Sequence, residues 1–453
     1  MHIQNSQGIV KTFGNTSGRQ IFWLVTILVA VSSCETIQSQ SGLQAEQGGI
    51  TKGPMLIRVE QNRAAVMWET NSQEVCKVYY GKEGKPERYI ESKGEKVQYN
   101  VKDEKRTVFI HKVWLEGLEA GTVHSYQIMG NGVKSEVYGF RTAPANSDRV
   151  RFIVYGDSRT RPKFHQKLVK LMIAKKVDFV VNGGDFVTSG ERYEQWGPQF
   201  FKPLSGLIET MPFYAVKGNH EGESGNYEKL LIPAGETNNF GFDYGPLHYF
   251  CADNAIKGGE PNKILELITN DIKNSKARWK FVSYHRPSLN FGHHWSAWGY
   301  PEALARFAEA GVDFVITGHS HQYERFRPIA PAKEGGLTSP AVAGPAFVAT
   351  PAEKAYAKAG SYVTYITSGG GGVITTGIQS CEYHVKTSAT HHFCLFEING
   401  DKLTMDTIDI EGRIIDHLEV TKSDGLLNKE YIEKAVPMEE IGRYQKANLH
   451  REK

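Results

Sequence analysis

Short apolar runs separated by polar turns dominate the first part of this chain. Between Gly53 and about Ala145, alternating apolar residues recur in runs such as 64–68 and 77–81. That period is typical of half-buried β-strands, and a series of such strands without helices indicates an all-β module. The sequence therefore predicts a β-sandwich over residues 51–146.

The pattern changes after Pro144, where runs of β-branched residues begin to alternate with helical stretches. Residues 163–176 and 301–310 are two such helical stretches. Strands that alternate with helices are typical of an α/β fold. An α/β domain is therefore expected over residues 147–422.

Five apolar runs of this second part each lead directly into a short polar block of Asp, Asn or His. The runs end near Tyr155, Val181, Val216, Tyr284 and Thr317. In α/β folds the carboxyl ends of sheet strands converge on one crevice, so side chains just beyond five such strands can meet around one ligand. Blocks that are far apart in sequence are therefore expected to form one site.

The last part of the chain carries weaker signals. Residues 328–360 are rich in Pro, Ala and Gly, which predicts a long surface loop. Glycines 369–372 permit close backbone approach, but no following Lys-Ser/Thr accompanies them, which argues against a nucleotide site. The tail over 423–453 is polar, with a helix expected around 428–445. Strands that complete the sheet are expected at 362–368, 392–398 and 402–410.

Charge and histidine content direct the search for chemistry. The 53 lysines and arginines nearly balance 50 acidic residues without a long block of one sign, so no nucleic-acid surface is expected. Several of the 16 histidines lie beside aspartates or other histidines. Because neutral imidazole is the commonest nitrogen ligand for metals, this clustering indicates a metal site.

The cysteines do not form a thiolate motif. Cys76, Cys251, Cys381 and Cys394 are widely spaced and include no CxxC pair, which argues against a thiolate metal site. A disulfide between Cys381 and Cys394 and a set of buried free thiols both remain open, because spacing does not show whether two Cα atoms come within bonding range.

The first 34 residues are predicted to be a targeting segment. Lys11 and Arg19 precede the apolar run 21–31, and two serines then precede Cys34. This order resembles a bacterial lipoprotein signal, which implies export and anchoring to the cell envelope through a lipid on Cys34. An ordinary cleaved signal and a misassigned initiator are the alternatives. Residues 35–50, rich in Gln, Ser and Gly, are expected to be a flexible tether.

The polar blocks after the five apolar runs are Gly156-Asp157-Ser158-Arg159, Gly184-Asp185, Gly218-Asn219-His220-Glu221, His285, and Gly318-His319-Ser320-His321. In this order they resemble the calcineurin-like metallophosphoesterase superfamily. Residues 322–325 together with the preceding sandwich look specifically like the purple acid phosphatase branch with a fibronectin type III-like domain. The resemblance covers roughly residues 53–420 and implies two central mixed sheets flanked by helices.

The resemblance implies a centre of two metal ions, expected to be iron, zinc or manganese in an undefined combination. The second ion would be bound by Asp185, Asn219, His285 and His319, and the first by Asp157, Asp185 and His321, so that Asp185 bridges the two. Carboxylate and imidazole donors suit first-row metals of this kind.

The function expected from the resemblance is hydrolysis of a phosphate ester by metal-activated hydroxide. An acid phosphatase-like phosphomonoesterase is favoured, acting on a phosphorylated small molecule or a surface substrate. A phosphodiesterase and a non-catalytic cell-surface binding protein with a degenerate metal site are the alternatives.

Three histidines outside the ligand set are candidate catalytic residues. His220 is expected to assist the leaving group as general acid or hydrogen-bond donor, with Glu221 orienting it, and a structural hydrogen bond is the alternative for His220. His293 and His294 resemble substrate-facing histidines of the family, which implies contacts with phosphate, although solvated loop histidines would look the same.

Two positions depart from the family pattern. Thr188 stands where purple acid phosphatases have a tyrosine that binds ferric iron, so a purple enzyme is not expected. Arg159 stands where other members have a histidine ligand, and arginine does not ordinarily bind a metal. Arg159 is expected to contact the substrate phosphate. A structural ion pair and a weakened first metal site are the alternatives.

Overall fold

The computed structural model describes residues 49–330, 363–376, 384–422 and 436–437, apart from Glu74, Asn131, 256–259, His293 and Trp295. The targeting segment, most of the tether, most of the predicted surface loop, His293 and Cys381 therefore lie outside the described residues. Within them, no helix is long and apolar enough to cross a membrane.

Nine antiparallel strands form the N-terminal sandwich, as the alternating pattern predicts. One sheet has the order β1-β2-β6-β5, and the other has the order β4-β3-β7-β8 with β9 also paired to β7. The inner faces of the two sheets meet around the fully buried Trp68 and Tyr126. The strands are β1 (Ile50–Val59), β2 (Arg63–Thr70), β3 (Val75–Lys82), β4 (Lys85–Lys93), β5 (Glu95–Val101), β6 (Glu104–Glu116), β7 (Val123–Gly130), β8 (Val133–Lys134) and β9 (Tyr138–Arg141).

The α/β domain begins with β10. Its described helices are α1 (Pro162–Ala174), α2 (Lys202–Leu204), α3 (Asn226–Leu231), α4 (Pro261–Asn274) and α5 (Glu302–Ala310). Its described strands are β10 (Arg149–Tyr155), β11 (Phe179–Asn182), β12 (Phe213–Ala215), β13 (Phe240–Tyr244), β14 (Leu247–Cys251), β15 (Trp279–Tyr284), β16 (Phe314–Thr317), β17 (Tyr323–Phe326), β18 (Ile329–Ala330), β19 (Thr364–Ser368), β20 (His384–Ser388), β21 (His392–Asn399), β22 (Lys402–Asp409), β23 (Ile414–Thr421) and β24 (Val436–Pro437).

Two mixed sheets form the centre of this domain, which confirms the predicted fold class. The first has the order β12-β11-β10-β21-β22-β23, and the second has the order β13-β14-β15-β16-β19-β17-β20. They pack face to face through aromatic rings, with Phe152 stacked at 4.9 Å on Phe179 and at 5.1 Å on Phe396. Phe281 of the second sheet meets Phe152 edge-on at 5.4 Å. Such a densely packed layer holds the strand ends rigidly.

Helices cover the outer faces of both sheets. On α4, Ile264, Ile268 and Ile272 repeat every four residues, which places them on one buried face over the second sheet. Leu168 and Met172 of α1 pack in the same way on the first sheet.

The sandwich packs on the first sheet rather than standing apart. Its Met55 and Met67 share one hydrophobic cluster with Trp196 and Phe200. Hydrogen bonds reinforce the contact, including one of 2.6 Å from the Tyr214 hydroxyl to the Val59 carbonyl. The sandwich is therefore structurally continuous with the loops that follow β11.

Some sequence expectations differ from the structure. Within the predicted tail helix, Val436–Pro437 forms a short strand parallel to β18, because its backbone pairs with Ile329 and Ala330. Cys394 is a buried free thiol 3.6 Å from the Thr407 hydroxyl, which favours free thiols over the disulfide.

Candidate metal centre

Strand register brings the polar blocks to one edge. In the first sheet, Tyr155 of β10 is level with Asn182 of β11, which is level with Ala215 of β12. In the second sheet, Tyr284 of β15 is level with Thr317 of β16. The polar blocks follow these strand ends, and their side chains converge.

The structure brings together the six predicted metal ligands. Ligand atoms of Asp157, Asp185 and His285 lie within 4.8 Å of one another, and all three residues are buried. The His285 Nε2 atom lies 3.1 Å from Asn219 Oδ1. His319 packs on His285 with ring centroids 5.1 Å apart, and His321 Nε2 lies 3.7 Å from Asp157 Oδ1.

The two carboxylate oxygens of Asp185 face opposite halves of the centre. Oδ1 lies 3.2 Å from His285 Nε2 and accepts a 3.0 Å hydrogen bond from the His220 backbone N–H. Oδ2 lies 3.3 Å from the Arg159 Nε atom, on the side of His321. This arrangement suits a carboxylate shared between two cations.

Burial and charge make the two aspartates electrostatically unequal. Burial raises the pKa of Asp157 well above its usual range, with the charge of Asp185 adding to the effect. Burial acts in the same direction on Asp185, but His285, His220 and Arg159 outweigh it and hold the pKa of Asp185 below its usual value. The neighbouring cations therefore favour the charged form of Asp185, whereas burial disfavours the charged form of Asp157.

The three candidate histidine ligands also differ in their pKa values. Burial lowers the pKa of His285, but the charges of Asp185 and Asp157 outweigh it and raise this pKa to about 9. Burial lowers the pKa of His321 to about 3, and it also lowers the pKa of His319. His319 and His321 are thus neutral imidazoles, the form that binds metals.

A metal ion fits this donor set. Asp157 Oδ1 is buried and has no hydrogen-bond partner among the described residues, whereas buried polar atoms are nearly always paired. The donors comprise two carboxylates, one amide oxygen and three imidazoles, a combination suited to iron, zinc or manganese. The His285 Nδ1 atom faces the Gly183 carbonyl at 2.8 Å, which leaves Nε2 free for a metal.

Three of the candidate ligands have an unusual backbone conformation. Asp157, Asp185 and His319 have φ of 58°, 58° and 68°, in the left-handed region. Non-glycine residues adopt this conformation rarely and at a cost of about 1–3 kcal/mol, and such strain clusters at functional sites.

Two buried polar side chains hold the ligand loops. Glu221 accepts backbone hydrogen bonds from Asp185 and Phe186 at 2.9 Å and from Gly218 at 2.7 Å. Glu221 thus joins the Asp185 and Asn219 loops, and its carboxylate does not orient His220 as the sequence suggested. Asn254 Oδ1 accepts the His285 backbone N–H at 3.0 Å. Sequence reasoning missed Asn254, because it follows β14, a strand that was not predicted.

The remaining candidate residues border the ligands. The His220 Nδ1 atom donates to the Thr188 carbonyl at 2.7 Å, and Nε2 lies 3.8 Å from Asp185 Oδ2. His294 packs on His321 with centroids 4.3 Å apart. The Arg159 Nη2 atom lies 3.3 Å from His321 Nε2, and its side chain is 12% exposed.

The glycines 369–372 serve the same loop structurally. The Gly371 N–H donates to the Gly156 carbonyl at 2.8 Å, and the Val373 N–H donates to the Asp157 carbonyl at 2.9 Å. A side chain at Gly371 would overlap the Gly156 backbone. The glycines therefore allow the backbone to support Asp157 closely.

Comparison with known families divides the chain at the same place as the fold. A family model described as calcineurin-like phosphoesterase matches residues 150–323. A model described as purple acid phosphatase, N-terminal domain, matches residues 55–142.

Curated relatives are similar over part of their length. Purple acid phosphatase 17 of Arabidopsis thaliana is 29% identical over 39% of this chain and 64% of its own length. "Probable inactive purple acid phosphatase 1" of the same plant is 24% identical over 49% of this chain and 44% of its own length. The chain thus spans about half to two thirds of the length of these relatives.

Solved structures share the fold. A purple acid phosphatase from yellow lupin (Lupinus luteus) seeds superposes with a TM-score of 0.63 at 16% identity, covering 84% of this chain and 76% of that chain. PhoD superposes with a TM-score of 0.58 at 12% identity, covering 83% and 91%, respectively.

Proposed function

Because this chain joins a calcineurin-like phosphoesterase domain to a purple acid phosphatase N-terminal domain, we propose that it is a dinuclear metal-dependent phosphatase that hydrolyses phosphate monoesters. The proposal rests on the convergence of the six candidate ligands, three of which, Asp157, Asp185 and His285, have ligand atoms within 4.8 Å of one another. The Asp157 Oδ1 atom has no hydrogen-bond partner among the described residues. Iron, zinc and manganese are the metals that suit these donors.

The chain's own residues have distinct roles in this reaction. Two bound metal ions would supply an activated water and offset the charge that develops on phosphate. The Asp185 carboxylate faces both halves of the centre, and Glu221 and Asn254 hold the loops that carry its partners. Because Thr188 stands in place of the family's tyrosine, the enzyme is proposed not to be purple.

His220 is proposed to donate to the leaving-group oxygen. Its Nδ1 atom donates to the Thr188 carbonyl, so Nε2 is the ring nitrogen left to face the substrate. The side chain is 31% exposed, which gives a phosphate ester access to it. General acid catalysis of this kind contributes about 100- to 10,000-fold.

Arg159 is proposed to contact the substrate phosphate. In the structure its guanidinium pairs with Asp185 and approaches His321, both of them ligands of the first metal. A metal bound there would repel the guanidinium, which would then be free to bind phosphate as a planar fork. His294, packed on His321, is proposed to be a second phosphate contact.

Metal content and hydrolysis test the function together. Purified protein is loaded with Mn²⁺ or Zn²⁺ and assayed with 4-nitrophenyl phosphate and bis(4-nitrophenyl) phosphate. Asp185→Asn is the test variant because Asn tolerates the left-handed backbone at this position, and Asp406→Asn is the control. We expect monoester hydrolysis that Asp185→Asn abolishes together with metal binding.

The same assay separates the alternatives. Preference for the diester would identify a phosphodiesterase. Metal binding without turnover of either ester would indicate a cell-surface binding protein with a weakened first metal site. The contact of Arg159 with His321 is the observation that favours this alternative. Equal metal content and equal turnover in Asp185→Asn would remove the proposed centre.

We also propose that the protein is exported and anchored to the bacterial cell envelope by a lipid on Cys34. The support is the order of basic, apolar and small residues before Cys34. Detergent-phase partitioning of wild type, with loss of partitioning in Cys34→Ala, is the expected result. A water-soluble wild type would contradict the anchor.

A further inference from the structure

The N-terminal sandwich reaches the active-site loop through one buried polar cluster. Glu69 of β2 is 1% exposed, and its carboxylate binds the Lys52 ammonium at 2.6 and 2.7 Å. The Tyr193 hydroxyl, from the loop after β11, donates a hydrogen bond to Glu69 Oε2. Lys52 also lies 4.4 Å from the centre of the Tyr193 ring. One tyrosine of the catalytic domain is therefore held on two sides by the sandwich.

The segment anchored by Tyr193 supports the loop at Thr188. The Gln195 side-chain oxygen accepts the Ser189 N–H at 2.9 Å. The Gln199 side-chain oxygen accepts the Thr188 N–H at 2.8 Å and the Thr188 hydroxyl at 2.9 Å. Gln195 belongs to the helical turn Tyr193–Gln195, and Gln199 belongs to the helical segment Gly197–Phe201 that follows it. The segment that docks on the sandwich therefore also holds Thr188.

Thr188 and Gly190 in turn hold His220 at two points. The Thr188 carbonyl accepts the Nδ1 proton of His220 at 2.7 Å, and the Gly190 N–H donates to the His220 carbonyl at 2.7 Å. Because a carbonyl only accepts, Nδ1 carries a proton and Nε2 is directed away from the loop. Ring orientation of the leaving-group histidine therefore depends on loop 188–190.

We propose that Glu69 and Tyr193 are positioning residues for His220, so that the sandwich sets the geometry of leaving-group protonation in the catalytic domain. This inference rests on the proposed phosphatase function. A displacement of Tyr193 shifts the turn, the two glutamines and the Thr188 carbonyl, and the His220 ring turns with that carbonyl. Such a change affects proton donation and leaves the metal ligands in place.

Leaving-group dependence is the informative measurement. A nitrophenolate leaves without assistance, whereas an alkoxide such as that of glycerol phosphate needs a proton from the enzyme. In Tyr193→Phe, which keeps the ring and removes the hydroxyl, we expect kcat for glycerol phosphate to fall about tenfold more than kcat for 4-nitrophenyl phosphate. KM and metal content should be unchanged. Glu69→Gln should behave in the same way.

Controls distinguish positioning from general destabilisation. Tyr99→Phe removes a hydroxyl from the ring that packs on Tyr193 at 4.6 Å and should leave the substrate ratio unchanged. In a His220→Asn background, Tyr193→Phe should have no further effect on that ratio. A ratio that changes equally in both backgrounds would overturn the proposal.

The outcomes also separate this inference from the proposed function. If wild type hydrolyses neither ester, the proposed function and this inference are both wrong. Wild-type hydrolysis with an unchanged ratio in Tyr193→Phe and Glu69→Gln overturns the inference alone. If one variant fails to fold, the other supplies the decision, because Tyr193→Phe removes the Tyr193–Glu69 hydrogen bond from the catalytic domain, and Glu69→Gln weakens it from the sandwich by making its acceptor neutral.

Discussion

Replacing Arg159 by alanine should tighten metal binding at the first half of the centre and weaken substrate binding. The Arg159 Nε atom lies 3.3 Å from Asp185 Oδ2, and Nη2 lies 3.3 Å from His321 Nε2. A metal ion bound by these two ligands must displace the guanidinium, because both are cations. Alanine removes that competitor, and it also removes the proposed contact with phosphate.

The magnitude follows from the contact itself. At 3.3 Å and an effective dielectric constant of about 20, the attraction between the two charges is about 5 kcal/mol. Desolvation offsets most of this attraction, and the contact is longer than a charge-assisted hydrogen bond of about 2.7–2.9 Å. The net free energy of the Arg159–Asp185 contact is therefore about 1.5 kcal/mol. Metal affinity should therefore rise about tenfold, and KM should rise about 10- to 100-fold.

Calorimetric titration of metal-free protein with Zn²⁺ measures the first effect, and steady-state kinetics with 4-nitrophenyl phosphate measure the second. Arg161→Ala is the matched control, since it removes a charge from the same loop and its guanidinium lies over the Phe164 ring. Metal binding that is unchanged or weaker in Arg159→Ala would refute the reasoning and would identify Arg159 as a structural partner of Asp185.

Three further predictions concern the fold around the centre. Lys422→Met leaves the Asp313 carboxylate buried without its 2.7 Å partner and should lower the free energy of unfolding by about 3–5 kcal/mol in urea denaturation; adding Asp313→Asn should recover part of that loss. Burial lowers the pKa of His248, but hydrogen bonds to Asp243 and Asp271 outweigh it and raise this pKa to about 9. Protonated His248 therefore stabilises the fold fully below about pH 6.5, and this stabilisation is lost as pH rises through about 9. Between pH 6 and 10 the free energy of unfolding of wild type should fall by about 2–3 kcal/mol more than that of His248→Phe. Parallel pH dependences of the two proteins would contradict this assignment. In Gly218→Ala the new Cβ would overlap Asp185 Oδ1, so metal content should fall while Gly139→Ala, whose Cβ would meet its nearest neighbour at 3.8 Å, retains its metal.

The sequence predicted the ends of the site-forming strands well because each apolar run stops at a polar block. β10 ends at Tyr155, β15 at Tyr284 and β16 at Thr317, as expected. The last four residues of each of these strands are buried and mostly apolar, so the polar block that follows marks a sharp boundary.

Contacts made through the backbone could not be predicted in this way. The Thr188 position is informative in sequence through its side chain, yet its carbonyl is the group that binds His220. Any residue at position 188 supplies a carbonyl, so residue type carries no signal for this role. Glu69 was likewise hidden, because a carboxylate in an alternating strand normally faces solvent.

Chain order has a consequence for the assembly of the centre. All six proposed ligands precede residue 322, but β10, which leads to Asp157, lies between β11 and β21, and β21 is His392–Asn399. A fragment that ends after His321 would contain every ligand and lack one neighbour of β10, together with the Phe396 ring that stacks on Phe152. During synthesis, all six proposed ligands are therefore made before β21, the strand that completes the pairing of β10.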